Sequence, residues 1–211
     1  MARREDGKET RLRLLGAASE VFAQKGYRDA TVADICQQAD ANVASVNYYF
    51  RDKKNLYKEV WRHNLENCPA PVFFESAAVC PQDRLRAYIQ ELIQNFTAEG
   101  DLGRLSRLYL MEMVHPTGLI QDAWHETMEP RRRKLHDMLR ELIGGPHAHD
   151  LTIRLCELSI VNQCRMFVTL KRSDLEYMLG RPLSPELIQR MAGHIADFSI
   201  AGIRAVGERR A

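Results

Sequence analysis

Apolar residues recur at helical spacing in almost every patterned stretch of this 211-residue chain. Spacings of three and four residues gather apolar side chains on one face of an α-helix, whereas a half-buried β-strand needs strict alternation. No alternating pattern and no Asn-Gly hairpin signal stands out in the sequence. We therefore predict an all-α fold.

The N-terminal pattern predicts one long amphipathic helix followed by three short ones. The long helix is expected to end at Gly26, because glycine readily takes a left-handed cap. Its predicted buried face consists of Leu12, Leu15, Ser19 and Phe22. The short helices are expected to begin at side chains that accept hydrogen bonds from free backbone N–H groups, namely Thr31, Asn42 and Asp52.

Residues 69–81 contain three prolines and no clear period, which indicates a connection between two units. Beyond it the pattern predicts helices at about 82–98, 104–114, 118–143, 151–171 and 185–207. We predict a small N-terminal helix-turn-helix bundle over residues 1–68, joined to a larger helical domain over residues 69–211.

The distribution of charge and the spacing of the cysteines indicate which kinds of protein this chain resembles. Residues 1–64 carry 12 Lys and Arg against 9 Asp and Glu, although the whole chain has a net charge of only +2. The five cysteines form no C-x-x-C pattern, so we predict buried, reduced thiols. Neither a signal peptide nor a run of 18 apolar residues is found, and a cytoplasmic protein without a membrane span is expected.

Residues 31–50 predict a helix-turn-helix whose four-residue turn is 39–42. Small residues are expected where the two helices cross closely: Ala33, Ala39 and Ala44. Large apolar residues are expected to fill the junction: Ile35, Val46 and Phe50. A junction between two proteins is the alternative use of such a motif.

The second helix of this motif would enter the major groove of DNA. Its groove-facing positions are short or polar, namely Val43, Ala44, Ser45, Asn47 and Tyr48. An asparagine can pair with both polar atoms of an adenine edge, and small apolar groups can contact a thymine methyl. Ser45 and Tyr48 can donate to phosphate. The helix starts at Thr31 and Lys53 present free backbone N–H groups that suit phosphate oxygens.

The runs T-V-A-D-I-C-Q-Q-A and V-A-S-V-N-Y-Y-F-R-D-K-K-N-L-Y resemble the N-terminal module of the TetR repressors. The resemblance covers about residues 10–65. It implies that Thr31, Tyr48 and Lys53 hold phosphates and that Ser45 and Asn47 face the groove. The family's turn usually carries glycine where this chain has Asp40. Aspartate tolerates the left-handed conformation better than most residues, so the turn is expected to survive.

The same resemblance implies that the larger domain holds a small-molecule pocket and forms a homodimer through its last two helices. Bulky Met and aromatic residues are the pocket candidates: Tyr88, Phe96, Tyr109, Met111, Met113, Trp124 and Met128. Core packing is the alternative role for each of them.

The last two predicted helices are apolar on more than one face, which predicts a second surface to bury against. We place the dimer contact at Phe167, Met191, Ile195 and Phe198.

Two polar clusters and one further histidine are predicted to have no role in binding. His147 and His149 beside Asp150 have metal-ligand character, but they follow Gly-Gly-Pro, and an exposed loop without metal is predicted. The basic run 131–134 is expected to be a solvated helix face paired with Glu126 or Glu129. His115 is expected to face solvent.

The sequence therefore predicts a ligand-responsive transcriptional regulator, foremost a repressor. Its predicted partners are a palindromic duplex, a second copy of the chain and an unidentified small molecule. No nucleophile elbow, P-loop, dinucleotide fingerprint or H-E-x-x-H occurs, so an enzyme and a cofactor are not expected. A helix-turn-helix protein regulated by a partner protein instead of a ligand is the alternative.

Overall fold

The computed structural model of the chain describes residues 2–68, 80–98, 100–144 and 149–208, with side chains from residue 7 onward except 101 and 102. Within these ranges the regular structure is helical, without a β-strand, and the predicted all-α fold is confirmed. The helices are α1 (Ala2–Asp29), α2 (Val32–Gln38), α3 (Val43–Phe50), α4 (Lys53–Glu66), α5 (Pro81–Thr97), α6 (Gly100–Val114), α7 (Gln121–Ile143), α8 (Asp150–Thr169), α9 (Arg172–Leu179) and α10 (Pro185–Glu208).

The helices pack into two compact units. The first consists of Met1–Pro69 together with Glu99–Met128, and the second of Ala70–Ala98 together with Glu129–Ala211. Helix α6 thus follows the predicted domain boundary at 68 in the chain but packs against α1. The predicted division into domains 1–68 and 69–211 stays a prediction.

Helix α1 forms much of the core of the first unit. Leu14, Ala18 and Phe22 are buried along one line of the helix, whereas Leu12 is 56% exposed. The prediction that Leu12 belongs to the buried face was wrong. At 3.6 residues per turn, Leu12 lies roughly 120° around the helix from Ala18 and so falls beside the buried face.

Helices α5, α7, α8 and α10 enclose the core of the second unit. The apolar stripe of α7 is buried and consists of Leu135, Met138, Leu139 and Leu142. Outside this stripe, Arg132 and Arg133 lie within 4 Å of Glu129 as predicted. Arg132 also donates from Nε to both carboxylate oxygens of Glu157 on α8, at 2.8 and 2.9 Å.

Three local features of the predicted pattern can be compared with the structure. Gly26 takes a φ of 73° and breaks the helical backbone of α1 as predicted, and a short helical stretch follows it up to Asp29. Helix α9 was not predicted. His149 caps α8 by accepting a hydrogen bond from the Leu151 N–H, while His147 and most of the connection 69–81 lie outside the described residues.

All five cysteines are free thiols, and four of them are buried. None of the described helices is long and apolar enough to cross a bilayer.

Candidate nucleic-acid interface

Helix α2 begins with a complete capping box. The Asp34 N–H donates to Thr31 Oγ1 at 3.0 Å, and the Thr31 N–H donates to Asp34 Oδ2 at 3.1 Å. Hydrogen bonds from Lys25 and then from Thr31 lower the pKa of Asp34, so the cap is charged at neutral pH. The start of α2 is therefore fixed by its own side chains, as predicted.

The turn between α2 and α3 has the predicted left-handed residue. Asp40 takes a φ of 47°, and the following Ala41 N–H donates to the Cys36 carbonyl at 3.0 Å. Asn42 then caps α3 by accepting from the Ser45 N–H at 2.9 Å. Aspartate therefore does at this turn what glycine usually does in the resembled family.

The junction of the two helices is filled by large side chains. Ile35 and Val46 are fully buried and Phe50 nearly so, as predicted. Of the small residues expected at the crossing, Ala39 is buried, but Ala33 and Ala44 are exposed. The prediction for those two alanines was wrong because the contact is made through the bulky face of each helix.

The opposite face of α3 is presented to solvent. Val43, Ala44, Asn47 and Tyr48 are exposed, with Tyr48 at 81%. Ser45 is half-buried, and its hydroxyl donates to Asn42 Oδ1 at 3.0 Å. The structure thus brings four of the five predicted groove-facing residues together on one open face, and ties Ser45 to the helix cap.

Helix α4 begins beside the end of α3. Its cap is Asp52, whose Oδ1 accepts from the Asn55 N–H at 2.7 Å. The ammonium of Lys53 lies 3.3 Å from the Arg28 carbonyl oxygen and 4.7 Å from the centroid of the Tyr27 ring. Burial lowers the pKa of Lys53, and nearby Asp29 opposes that effect. Lys53 therefore joins α4 to the end of α1 inside the first unit.

Arg51 was not singled out from the sequence. It lies between α3 and α4 with a φ of 72° and an exposed side chain. The residue type does not predict this backbone conformation, since residues other than glycine rarely adopt it.

Helix α4 is also hydrogen-bonded to α6 within the first unit. The Tyr57 hydroxyl donates to Glu112 Oε2 at 2.9 Å, and the Thr117 N–H donates to Glu112 Oε1 at 2.8 Å. Burial raises the pKa of Tyr57, which keeps the phenol protonated as a donor. No sequence motif predicted the contact between α4 and this carboxylate, because Tyr57 lies 55 residues before Glu112 in the chain.

The predicted effector residues lie in both units. In the first unit, Tyr109 stacks on Trp124 with 5.3 Å between ring centroids, and Met128 packs against the same core. Met111 is half-buried and Met113 exposed. In the second unit, Tyr88 and Phe96 on α5 are partly buried and pack against the core.

A depression of about 260 Å³ in the first unit is lined by other residues, namely Arg13, Gly16, Ala17, Glu20, Gln38, Ala39 and Arg104.

The predicted dimer residues differ in exposure. Phe198 is 64% exposed, Phe167 and Met191 are half-buried, and Ile195 is 4% exposed within the core of its own unit. On the adjacent helix α8, three leucines at helical spacing are exposed: Leu151, Leu155 and Leu158.

A capped helix-turn-helix with an open second helix, followed by a larger helical unit, defines a class of DNA-binding transcriptional regulators. Residues 14–60 match the family described as bacterial regulatory proteins, tetR family. Residues 81–203 match the family described as HTH-type transcriptional dual regulator CecR, C-terminal domain. The chain belongs to the TetR family of transcriptional regulators and carries a C-terminal domain of the CecR kind. The sequence analysis found no motif in the C-terminal part that predicted the second match.

Two relatives agree with this assignment, and a solved structure shares the fold. The HTH-type transcriptional dual regulator CecR of Shigella flexneri is 28% identical over 182 residues, 76% of each chain. The regulator AcrR of the same organism is 28% identical over 116 residues, so the alignment spans only 53% of that protein. The regulator FadR from Bacillus subtilis, solved in complex with stearoyl-CoA, has the same fold at 18% identity. Its TM-score is 0.64 over 90% of this chain and 98% of that one.

Proposed function

We propose that the protein is a repressor that binds a palindromic operator as a homodimer and is released by a small molecule. The observation that carries the proposal is the open face of α3. Asn47 and Tyr48 are exposed on it, while Val46 and Phe50 anchor the helix from behind. A reading helix needs such rigid support, since base contacts require side chains held in a fixed register.

In the proposed complex Asn47 recognises adenine, and Val43 with Ala44 contacts thymine methyl groups. Phosphates on either side of the groove are held by the N-termini of α2 and α4 and by three side chains, namely Thr31, Tyr48 and Lys53.

A homodimer is proposed because α8 and α10 keep apolar side chains in solvent after their own core is complete. Leu151, Leu155 and Leu158 form a stripe on α8, and Phe198 projects from α10, which packs against α8. Two copies of this surface related by a two-fold axis would make a four-helix bundle. The same two-fold axis would place two reading helices on a palindrome, which explains why both features occur in one chain.

A small-molecule effector is proposed to bind among the helices of residues 82–171. Aromatic and Met side chains in that range suit an apolar ligand. FadR, which shares the fold, was solved with stearoyl-CoA, and a ligand with a long apolar part is therefore the first class to test. Release would require that the ligand bind more tightly to a conformation unsuited to DNA.

Selection of bound duplexes from random DNA tests the proposal. We expect a palindrome whose half-sites are centred about one helical turn, ~10 bp, apart or somewhat more, with affinity falling steeply as salt rises. Apolar acyl compounds can then be titrated into the complex. Binding that ignores sequence would contradict the regulator. A selective complex that responds to no ligand but to a protein would replace the effector with a partner protein.

A further inference from the structure

Arg51 has a backbone conformation that an arginine does not favour. Its φ is 72° and its ψ is −49°, and Asp40 is the only other residue besides glycine with a positive φ among the described residues. Such conformations cost free energy for any residue with a Cβ atom, and glycine avoids that cost.

The conformation is imposed by anchors on both sides. The Arg51 N–H donates to the Asn47 carbonyl at 3.1 Å and so closes α3. Phe50 before it and Leu56 after it are buried, and Asp52 caps the next helix. The chain must therefore turn sharply at Arg51, and the surrounding residues hold this turn.

The side chain of Arg51 is exposed and makes no hydrogen bond or ion pair within the part of the chain that the structure describes. This distinguishes it from Lys53, whose ammonium contacts the Arg28 carbonyl and the Tyr27 ring. Arg51 contributes nothing visible to the folded unit, yet it occupies a position where glycine would fold with less strain.

Its position offers a reason. Arg51 directly follows the reading helix, three residues after exposed Tyr48, and precedes the cap of α4. These are the elements proposed to flank the DNA backbone. A guanidinium can bind a phosphate through two parallel hydrogen bonds, which makes arginine suited to that task.

We infer that Arg51 is a phosphate-binding residue of the DNA interface and that the strained backbone is tolerated for this contact. The inference rests on the proposed binding of DNA through α3. It goes beyond the family resemblance, which places phosphate contacts at Thr31, Tyr48 and Lys53 only.

The test compares three substitutions with the unchanged protein on the selected operator and on an unrelated duplex. Arg51→Gln removes the charge and keeps the strain, Arg51→Lys keeps both, and Arg51→Gly removes both. Arg107→Gln is the matched control, because Arg107 is an exposed cation on α6 of the same unit.

Arg51→Gln should weaken binding to both duplexes about tenfold. The slope of log affinity against log salt should fall in magnitude by about one. Arg51→Gly should bind as weakly as Arg51→Gln but unfold at a higher temperature than the unchanged protein. Arg51→Lys should retain most of the salt slope, and Arg107→Gln should leave both quantities unchanged.

An unchanged salt slope in Arg51→Gln would overturn the inference while leaving the proposed function in place. A changed base preference in that variant would also overturn it, since a phosphate contact carries no sequence information. An unchanged protein that selects no operator would overturn the inference and the proposed function together.

Discussion

Thr31, Asn42 and Asp52 each accept a hydrogen bond from the backbone N–H three residues further on. These caps could be predicted because a cap depends on one side chain and the adjacent turn. The left-handed turn at Asp40 was predicted from the family resemblance, because aspartate stands where that turn usually has glycine and tolerates the conformation. Arg51 was not, because its conformation is imposed by buried residues on both sides and contradicts the preference of its own residue type.

The contacts of Lys53 inside the fold and its proposed contact with phosphate lead to a residue-scale prediction. Lys53→Ala should weaken binding to all duplexes alike and lower the salt slope by about one, as expected for a phosphate contact. It should also lower the unfolding temperature, because Lys53 contacts the Arg28 carbonyl and the Tyr27 ring within the first unit. Salt titrations and thermal unfolding of the same sample measure both effects. A change of base preference in Lys53→Ala would contradict the phosphate role.

At the scale of elements, helices α7 and α8 are joined by a carboxylate that the sequence did not single out. Burial alone would raise the pKa of Glu157, but hydrogen bonds from Arg132 and His136 outweigh it and lower the pKa below its usual 4.5. Arg132 was predicted to face solvent with Glu129, and the partner across the helices was missed. Periodicity shows which face of a helix is polar, but it does not show which helix lies beside that face.

Glu157→Gln should therefore destabilise the protein at neutral pH, by about 1–3 kcal/mol in urea unfolding. A carboxylate whose pKa is lower in the folded state stabilises the fold above its unfolded pKa and loses that contribution as pH falls. The difference between Glu157→Gln and the unchanged protein should be constant near pH 7 and shrink as pH falls below 4.5. A difference that does not depend on pH would contradict the ionic role of Glu157.

Helices α6 and α9 show the limit of prediction for whole elements. Helix α6 follows the proline-rich connection and packs on α1, a contact between distant segments that periodicity does not reveal. Helix α9 has only eight residues, and its cap Lys171 makes no side-chain hydrogen bond. Short helices without a cap or an extended stripe give little periodic signal.

At the scale of the whole molecule, the proposed homodimer depends on a surface that the core of one subunit leaves uncovered. Phe198→Asp should give folded monomers in sedimentation, because Phe198 is 64% exposed and its replacement leaves the core intact. The interface it removes should bury roughly 2,000 Å² in total. Operator binding should fail with the dimer, since each half-site alone offers half of the contacts.

Two variants separate dimer loss from unfolding. Tyr177→Asp changes a residue of α9 in the same unit that is 88% exposed, and this variant should stay dimeric. Ile195→Asp buries a charge in the core, because Ile195 is 4% exposed, and it should unfold the unit instead of yielding monomers. A Phe198→Asp protein that remains dimeric would place the interface elsewhere.

The central claim is that α3 reads base sequence, and Asn47 tests it most directly. Random duplexes should be selected in parallel with the unchanged protein and with Asn47→Ala, whose exposed position makes an effect on folding small. We predict that Asn47→Ala loses its preference at one A·T pair of each half-site and keeps the others, at a cost of about 1–3 kcal/mol on the best site. Selection of the same operator with undiminished preference at every position would contradict the account.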